Sequence, residues 1–300
     1  MSKEAKPRTL FALPVDDGQS TILTVVRLAL RLANRHMQPY GYKSRHDFAQ
    51  PQLMACLILR AYRKATYREI VDQLKTSWEL REALGLTKVP NYSTLCKFAA
   101  RPGVLEVLDG MLASLAAEME ATDESGCQEA AMDATGLETT SASAHYQVRR
   151  GQKRRGYLKV SVVVLLHSLI PGAMAMDVGP GNDKRPAREL LPKARDAIQP
   201  DVLYADAGYD AEWIHEFCNE EWGPYSVIKP VHHRVGRPGG AYRSQMTERM
   251  LKQLGYGRRW LVESYMSGLK RTTGWTLAAR SHSARKVEAG MKVMAYALRR

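Results

Sequence analysis

Cysteine is scarce in this 300-residue chain, and none of its four residues, Cys56, Cys96, Cys127 and Cys218, stands in a C-x-x-C pair. A chain this long has little need of disulfide staples, so all four are expected to be reduced, buried structural thiols. No Cys/His grouping has zinc spacing, and neither a P-loop nor a G-x-G-x-x-G fingerprint occurs, so nucleotide-driven chemistry is not indicated. Long apolar runs are missing as well. The longest, around Val160 to Leu166, is far too short to span a bilayer and reads as a buried strand. The opening stretch MSKEAKPRTLFALP has charges but no continuous apolar core leading to a small-residue cleavage site, so a cytoplasmic, nucleoid-associated location is expected. Acid is outnumbered: 31 Asp and Glu face 44 Lys and Arg, a net charge of +13 that a polyanion partner would select, nucleic acid ahead of an anionic membrane.

What is present divides into two halves. After a tail over residues 1–20, apolar residues recur at helical spacing from Thr21 to about Met119, as in Ile22, Val25, Val26, Leu28, Ala29 and Leu32. This predicts an all-α domain over 21–125. Thr66 and Glu69 make a capping box, and Gly85 is placed to close a helix after Leu84. After Pro90 the segment NYSTLCKFAAR starts another short helix with Lys97 and Arg101 outward, and two short helices with a basic second member resemble a helix-turn-helix. An ordinary helical bundle is the competing reading. The stretch ATDESGCQE then loses apolar periodicity, and a second domain is expected over 126–300. Strand candidates over Ala130–Glu138, Leu158–His167 and Gly172–Val178 suggest a meander. Alternating helix (Asp183–Ala197), strand (Val202–Ala205), helix (Ala211–Cys218) and strand (Tyr225–Ile228) follow. The fold class is therefore α+β or α/β: a ribonuclease-H-like core, a mixed sheet flanked by helices, preceded by an all-α domain. No internal repeat or low-complexity tract competes with it.

Three acids stand out. Asp133 interrupts an apolar strand candidate, where a carboxylate is costly unless it binds something. The bland alternative is an edge-strand or turn acid, with Thr135 and Gly136 following. Asp206 ends the short strand VLYA, at the carboxyl edge of a sheet where ligands of open α/β sheets bind. Helix capping is its alternative role, but Asp210 is better placed to cap a helix starting at Ala211. If the two strands pair, the carboxylates lie about one strand spacing apart, ~4.8 Å, which suits metal ions held ~3.5–4 Å apart. Hard oxygen donors without soft ligands imply Mg²⁺ or Mn²⁺, two ions per site. The third acid, Glu263, lies in GYGRRWLVESYMSGLKR. On one helix Tyr256, Arg259, Glu263 and Lys270 fall within roughly a 60° sector, beside an apolar stripe of Val262, Met266 and Leu269; Tyr256, flanked by Gly255 and Gly257, has the least determined direction. A solvated i,i+4 ion pair between Arg259 and Glu263 is the plain alternative.

The spacing Y-x₂-R-x₃-E-x₆-K resembles the signature around the last acid of bacterial DDE-type insertion-sequence transposases, and all four positions match. Four fixed positions match by chance at roughly one site in 10⁵. MDATGLE around Asp133 and LYADAGYDAEW around Asp206 look like the first and second acid motifs in the same order, and YREIVDQL to STLCKFAAR looks like the family's helical region. Two features depart from some relatives. Only the 56 residues from Ala207 to Val262 separate the second acid from the third, little room for a large β-rich insertion, and the chain stops at Arg300 within a helix-like pattern, Ala284 to Leu298.

The resemblance implies a DNA transposase in which Asp133, Asp206 and Glu263 are catalytic and hold two divalent ions for phosphodiester hydrolysis and strand transfer, with no covalent protein–DNA intermediate. By the same analogy Tyr256, Arg259 and Lys270 handle the backbone of the element's inverted-repeat ends, and joining two ends to target DNA makes a homodimer the natural state. Separately, RRGQKRRGYLK carries Arg149, Arg150, Lys153, Arg154, Arg155 and Lys159 without an acid and reads as a phosphate-gripping hairpin, against a solvated loop tip. Trp260 and Trp275 are expected in the core rather than stacked on a base. The alternatives to an active transposase are a catalytically inactive transposition repressor or domesticated transposase, and a ribonuclease-H-like nuclease that cuts without joining.

Overall fold

The computed structural model describes residues 20–41, 43–44, 46–124, 126–139, 156–231 and 239–300. Six helices come first: α1 (Thr21–His36), α2 (Gln50–Tyr62), α3 (Tyr67–Thr76), α4 (Trp78–Ala83), α5 (Tyr92–Ala99) and α6 (Val104–Glu120). Helix α2 is buried almost all round, from Leu53 to Ala61, as befits the central member of a helical assembly. The capping box forms, with Thr66 Oγ1 accepting from the Glu69 N–H and Glu69 Oε2 from the Thr66 N–H. Gly85, at φ 61°, ends the helix where only a residue free of a Cβ turns left-handed without strain. Helices α3 and α5 touch, with α4 between them along the chain.

The later part is a five-stranded sheet. Strands β1 (Glu129–Glu138), β2 (Tyr157–Leu165) and β3 (Pro171–Gly179) form an antiparallel meander. Helix α7 (Lys184–Ala197) leads to β4 (Val202–Ala205), which pairs with β1 in parallel. Helix α8 (Glu212–Glu216) runs on through a π-helical turn, Phe217–Trp222, four residues beyond the expected end at Cys218, and stops at Gly223. Strand β5 (Tyr225–Ile228) pairs with β4, giving the order β3-β2-β1-β4-β5. Helix α9 (Glu248–Gln253), a 3-10 turn (Tyr256–Arg259), α10 (Trp260–Thr273) and α11 (His282–Ala297) complete the chain. This is the mixed, helix-flanked sheet of a ribonuclease-H-like core. Among the described residues between Asp206 and Glu263, β5 is the only strand, in keeping with a compact core.

Every side chain of β2 from Leu158 to Leu165 is buried, so both faces of the sheet are covered at its centre. Helix α7 packs on β2 and β3, α6 on β3, α10 on β1, and α11 against α2, α6 and α10. The apolar core runs without interruption from α1 to α11, because α6 and α11 each contribute to both the helical layer and the sheet layer. Two of the four thiols are buried as expected, Cys56 and Cys218. Cys127 is exposed and Cys96 half-buried, since they lie on a turn before β1 and on the outer part of a short helix.

Candidate active site

Strands β1 and β4 run side by side, with Met132 opposite Ala205. The residues that follow are Asp133 and Asp206, so the parallel register alone sets the two carboxylates next to each other at the carboxyl edge of the sheet. Asp133 is no edge-strand acid: β1 is the middle strand of five. Its Oδ1 accepts from the Ala134 N–H at 2.7 Å. Burial pushes its carboxyl up to about 6, with Asp206 and Glu263 adding to the rise and Arg259 and the Ala134 N–H opposing it. Asp206 Oδ1 accepts from the Gly208 N–H at 2.9 Å and caps a 3-10 turn, Ala207–Tyr209.

Asp210 is not the cap anticipated for the next helix. Ala211 occupies that position, and Asp210 instead grips Arg243 through both oxygens, at 2.6 and 2.7 Å, while accepting from the Val231 N–H. The Arg243 pair holds the loop after β5 against the turn that carries Asp206, a tertiary role that local helix-capping logic does not reveal.

Tyr256, Arg259, Glu263 and Lys270 come from two elements rather than one helix face. Tyr256 and Arg259 lie in the 3-10 turn, and only Glu263 and Lys270 are on α10, which starts at Trp260. Gly255, at φ 69°, ends α9 and makes the change of direction possible. The turn is anchored from below: Leu254 O and Glu129 Oε1 lie 3.0 and 2.9 Å from the Tyr204 hydroxyl, and Arg258 pairs with Glu129 at 2.7 Å. Arg259 thereby reaches between two acids, with Nη1 3.9 Å from Asp133 Oδ2 and Nη2 2.5 Å from Glu263 Oε1. Tyr256 is half-buried, near Arg259, Asp206 and Asp133, and its hydroxyl is shifted upward chiefly by burial. The apolar stripe Val262, Met266 and Leu269 is buried.

Glu263 is held on Arg259, its side chain 56% exposed against 18% for Asp133. Among the described residues, no three carboxylate, imidazole or thiolate side chains stand close enough to hold a metal as they are. The donor set nevertheless fits a hard divalent ion. Two carboxylates are fixed side by side by main-chain N–H groups, one of them is desolvated and short of a full counter-charge, and the third is on a long side chain with room to turn.

Lys270 lines a cavity of about 420 Å³ with Ala134, Glu138, Lys159 and Asp183. Lys159, part of the basic run in sequence, is buried and not on a hairpin tip: its ammonium donates to Asp183 Oδ1 at 2.6 Å and to the Gly181 carbonyl. Asp183 is the acid that sequence reasoning passed over, treating it only as a helix start. Its one sequence signal is the run Asn182-Asp183 before a helix, which is also an ordinary capping pattern. Arg149, Arg150, Lys153, Arg154 and Arg155 lie outside the described residues. Lys97 is exposed on α5, and Arg101 lies beyond its end, bound to the Tyr40 hydroxyl at 2.6 Å, away from the acids in sequence and in packing. Trp260 and Trp275 are 59% and 64% exposed and not in the core. The helix turns Val262 and Met266 inward instead, which puts Trp260 on the outside.

Comparison with known proteins agrees in kind. Residues 125–298 match the family model described as Transposase DDE domain, and residues 28–101 match Transposase domain (DUF772). No curated protein and no solved structure matches the chain.

Proposed function

The chain belongs to the Transposase DDE domain family, a group of insertion-sequence transposases, and on that premise we propose that Asp133, Asp206 and Glu263 are its catalytic acids, cutting element ends and joining them to target DNA. Family membership makes it a DNA transposase and implies divalent metal ions and DNA as partner. The observation that carries the assignment of residues is the pairing of Met132 with Ala205, which sets Asp133 and Asp206 side by side with Arg259 facing one of them.

Asp133, Asp206 and Glu263 would hold Mg²⁺ or Mn²⁺, which when bound lowers the pKa of a coordinated hydroxyl and neutralises charge on the phosphate under attack. Asp133 must be ionised to bind it, so affinity falls as pH drops below about 6. Arg259 is placed to hold a phosphate: its guanidinium spans two carboxylates and offers paired donors to a phosphodiester once Glu263 turns to the other two acids. Lys270, on the cavity beyond Asp133, holds the next phosphate as a point charge, and Tyr256 contributes a hydroxyl.

The test uses duplexes carrying the inverted repeats of the element, with Mg²⁺ or Mn²⁺. Asp133→Asn, Asp206→Asn and Glu263→Gln should each reduce cleavage and strand transfer by more than 10³-fold, in the range of losing a main catalytic group, and leave duplex binding within a few-fold. Full cleavage by any one of them removes that residue from the site. Binding without cleavage by the unaltered protein would favour a repressor, and hydrolysed ends without joined products a nuclease.

A further inference from the structure

Gly208 stands between two acids. A Cβ placed on it would lie 2.8 Å from Asp183 Oδ2 and 2.9 Å from Asp206 Oδ1, so these two oxygens are no more than about 5.7 Å apart, the sum of the two distances. The backbone of Gly208 is not in the left-handed region, so conformation does not demand glycine here; the closeness of the two carboxylates does. Asp183 comes from the start of α7 and Asp206 from the end of β4, elements brought together by the crossover between β3 and β4. The Asp183 Oδ1 atom is taken by the buried ammonium of Lys159, which leaves Oδ2 turned toward Asp206.

A second observation lies beneath them. Tyr209 is fully buried, and its hydroxyl has no hydrogen-bond partner. Burial holds the Tyr209 hydroxyl well above its ordinary pKa, and the nearby charges of Asp183, Asp133 and Asp206 add to the rise. The Ser161 hydroxyl is near it but outside hydrogen-bond geometry, and is itself buried and unpaired. Two buried, unpaired hydroxyls beside three carboxylates cost on the order of 1–3 kcal/mol each unless something completes the network. A cation that draws the carboxylates together, bringing bound water, would complete it.

We propose that Asp183 is a fourth carboxylate of the acidic site, sharing a divalent cation with Asp206 across Gly208, and that Lys159 is the resident counter-charge that holds it in place. This rests on the reading of Asp133 and Asp206 as metal-binding acids. Lys159 donates to one oxygen of Asp183 and leaves the other to the cation, so the pair persists when metal binds. Gly208 is then the gap through which two ligands reach one ion.

Mn²⁺ binding to the full-length protein without DNA, followed by calorimetry and by the loss of the free-ion electron-spin signal, tests this apart from any turnover. Asp183→Asn and Gly208→Ala should each weaken Mn²⁺ binding by about tenfold or more, in the range seen when groups around a metal are altered. Asp177→Asn, on β3 and paired with Arg185, should leave it unchanged. Asp183→Asn strands the Lys159 charge, so the double variant Lys159→Gln with Asp183→Asn keeps the pair neutral and must show the same loss. Wild-type affinity in the double variant, or in Gly208→Ala, overturns the proposal. If Asp133→Asn and Asp206→Asn abolish Mn²⁺ binding while the Asp183 variants retain it, the triad stands and the fourth ligand falls. Absence of Mn²⁺ binding in the unaltered protein overturns both.

Discussion

At Asp133 the stability of the fold and the proposed metal-binding role pull in opposite directions. Its carboxyl titrates near 6 because β1 is the central strand and water is largely excluded from it. An acid whose folded pKa lies above its ordinary value of about 3.9 binds its proton more tightly in the folded state, so the contribution of Asp133 to stability is fully present below that ordinary value and is lost as pH rises through about 6. Above that, the ionised carboxylate costs about 2–3 kcal/mol in the metal-free protein. Asp133→Asn should therefore raise the melting temperature of metal-free protein at pH 8 and leave it nearly unchanged at pH 4, where both forms are neutral. Saturating Mn²⁺ should cancel the advantage at pH 8 by stabilising only the wild type. A variant no more stable than wild type at pH 8 would mean that Asp133 is better solvated than its place in the sheet indicates.

At the scale of elements, the position of α10 is set by its neighbours more than by its own sequence. Gly268 on α10 meets α11 so closely that a Cβ would fall on the Tyr296 hydroxyl and ring edge. The ring is buried and packed against Tyr265, so it has little freedom to yield. Gly268→Ala should cost about 1–3 kcal/mol by overpacking and push α10, with Glu263, out of register with β1. Removing the Tyr296 hydroxyl and ring in a Tyr296→Leu background should recover most of the loss, a coupling that a double-mutant cycle of melting temperatures measures directly. The far end of α10 is held similarly: Lys292 donates to the Thr273 and Gly274 carbonyls at 2.5 and 3.1 Å, and Lys64, from the loop after α2, to the Arg271 carbonyl at 2.7 Å. The helix carrying the third acid is thus clamped by both the early and the late parts of the chain.

For the whole molecule the dominant quantity is charge, +13 over 300 residues. Binding to duplex DNA should weaken steeply with salt, and each lost phosphate contact should reduce the slope of log K against log[salt] by about one. Arg154→Ala with Arg155→Ala should lower that slope by about two, and Lys97→Ala by about one, if these residues meet phosphate. An unchanged slope assigns the corresponding surface no part in DNA binding. Among the described residues no helix is long and apolar enough to cross a membrane.

Periodicity and residue type made the sheet strands, the capping box at Thr66 and the position of Glu263 legible from sequence, because each depends on neighbours within a few residues. The same short range is why other features were not. Four signature residues counted as one helix face divide between a 3-10 turn and α10, since the Tyr204–Leu254 contact and the Arg258–Glu129 pair, made far away in sequence, fix where the helix begins. Asp210 looked like a local cap and is a tertiary anchor for Arg243. The exposure of Trp260 follows from which face of α10 meets β1. By itself the sequence singled out Asp133, Asp206 and Glu263 as candidates, in that order, and pointed to the family that residues 125–298 match. Only the tertiary structure decided that Asp183 is their neighbour, because the β3-β2-β1-β4-β5 order folds the start of α7 back onto the end of β4, a proximity that no local spacing encodes.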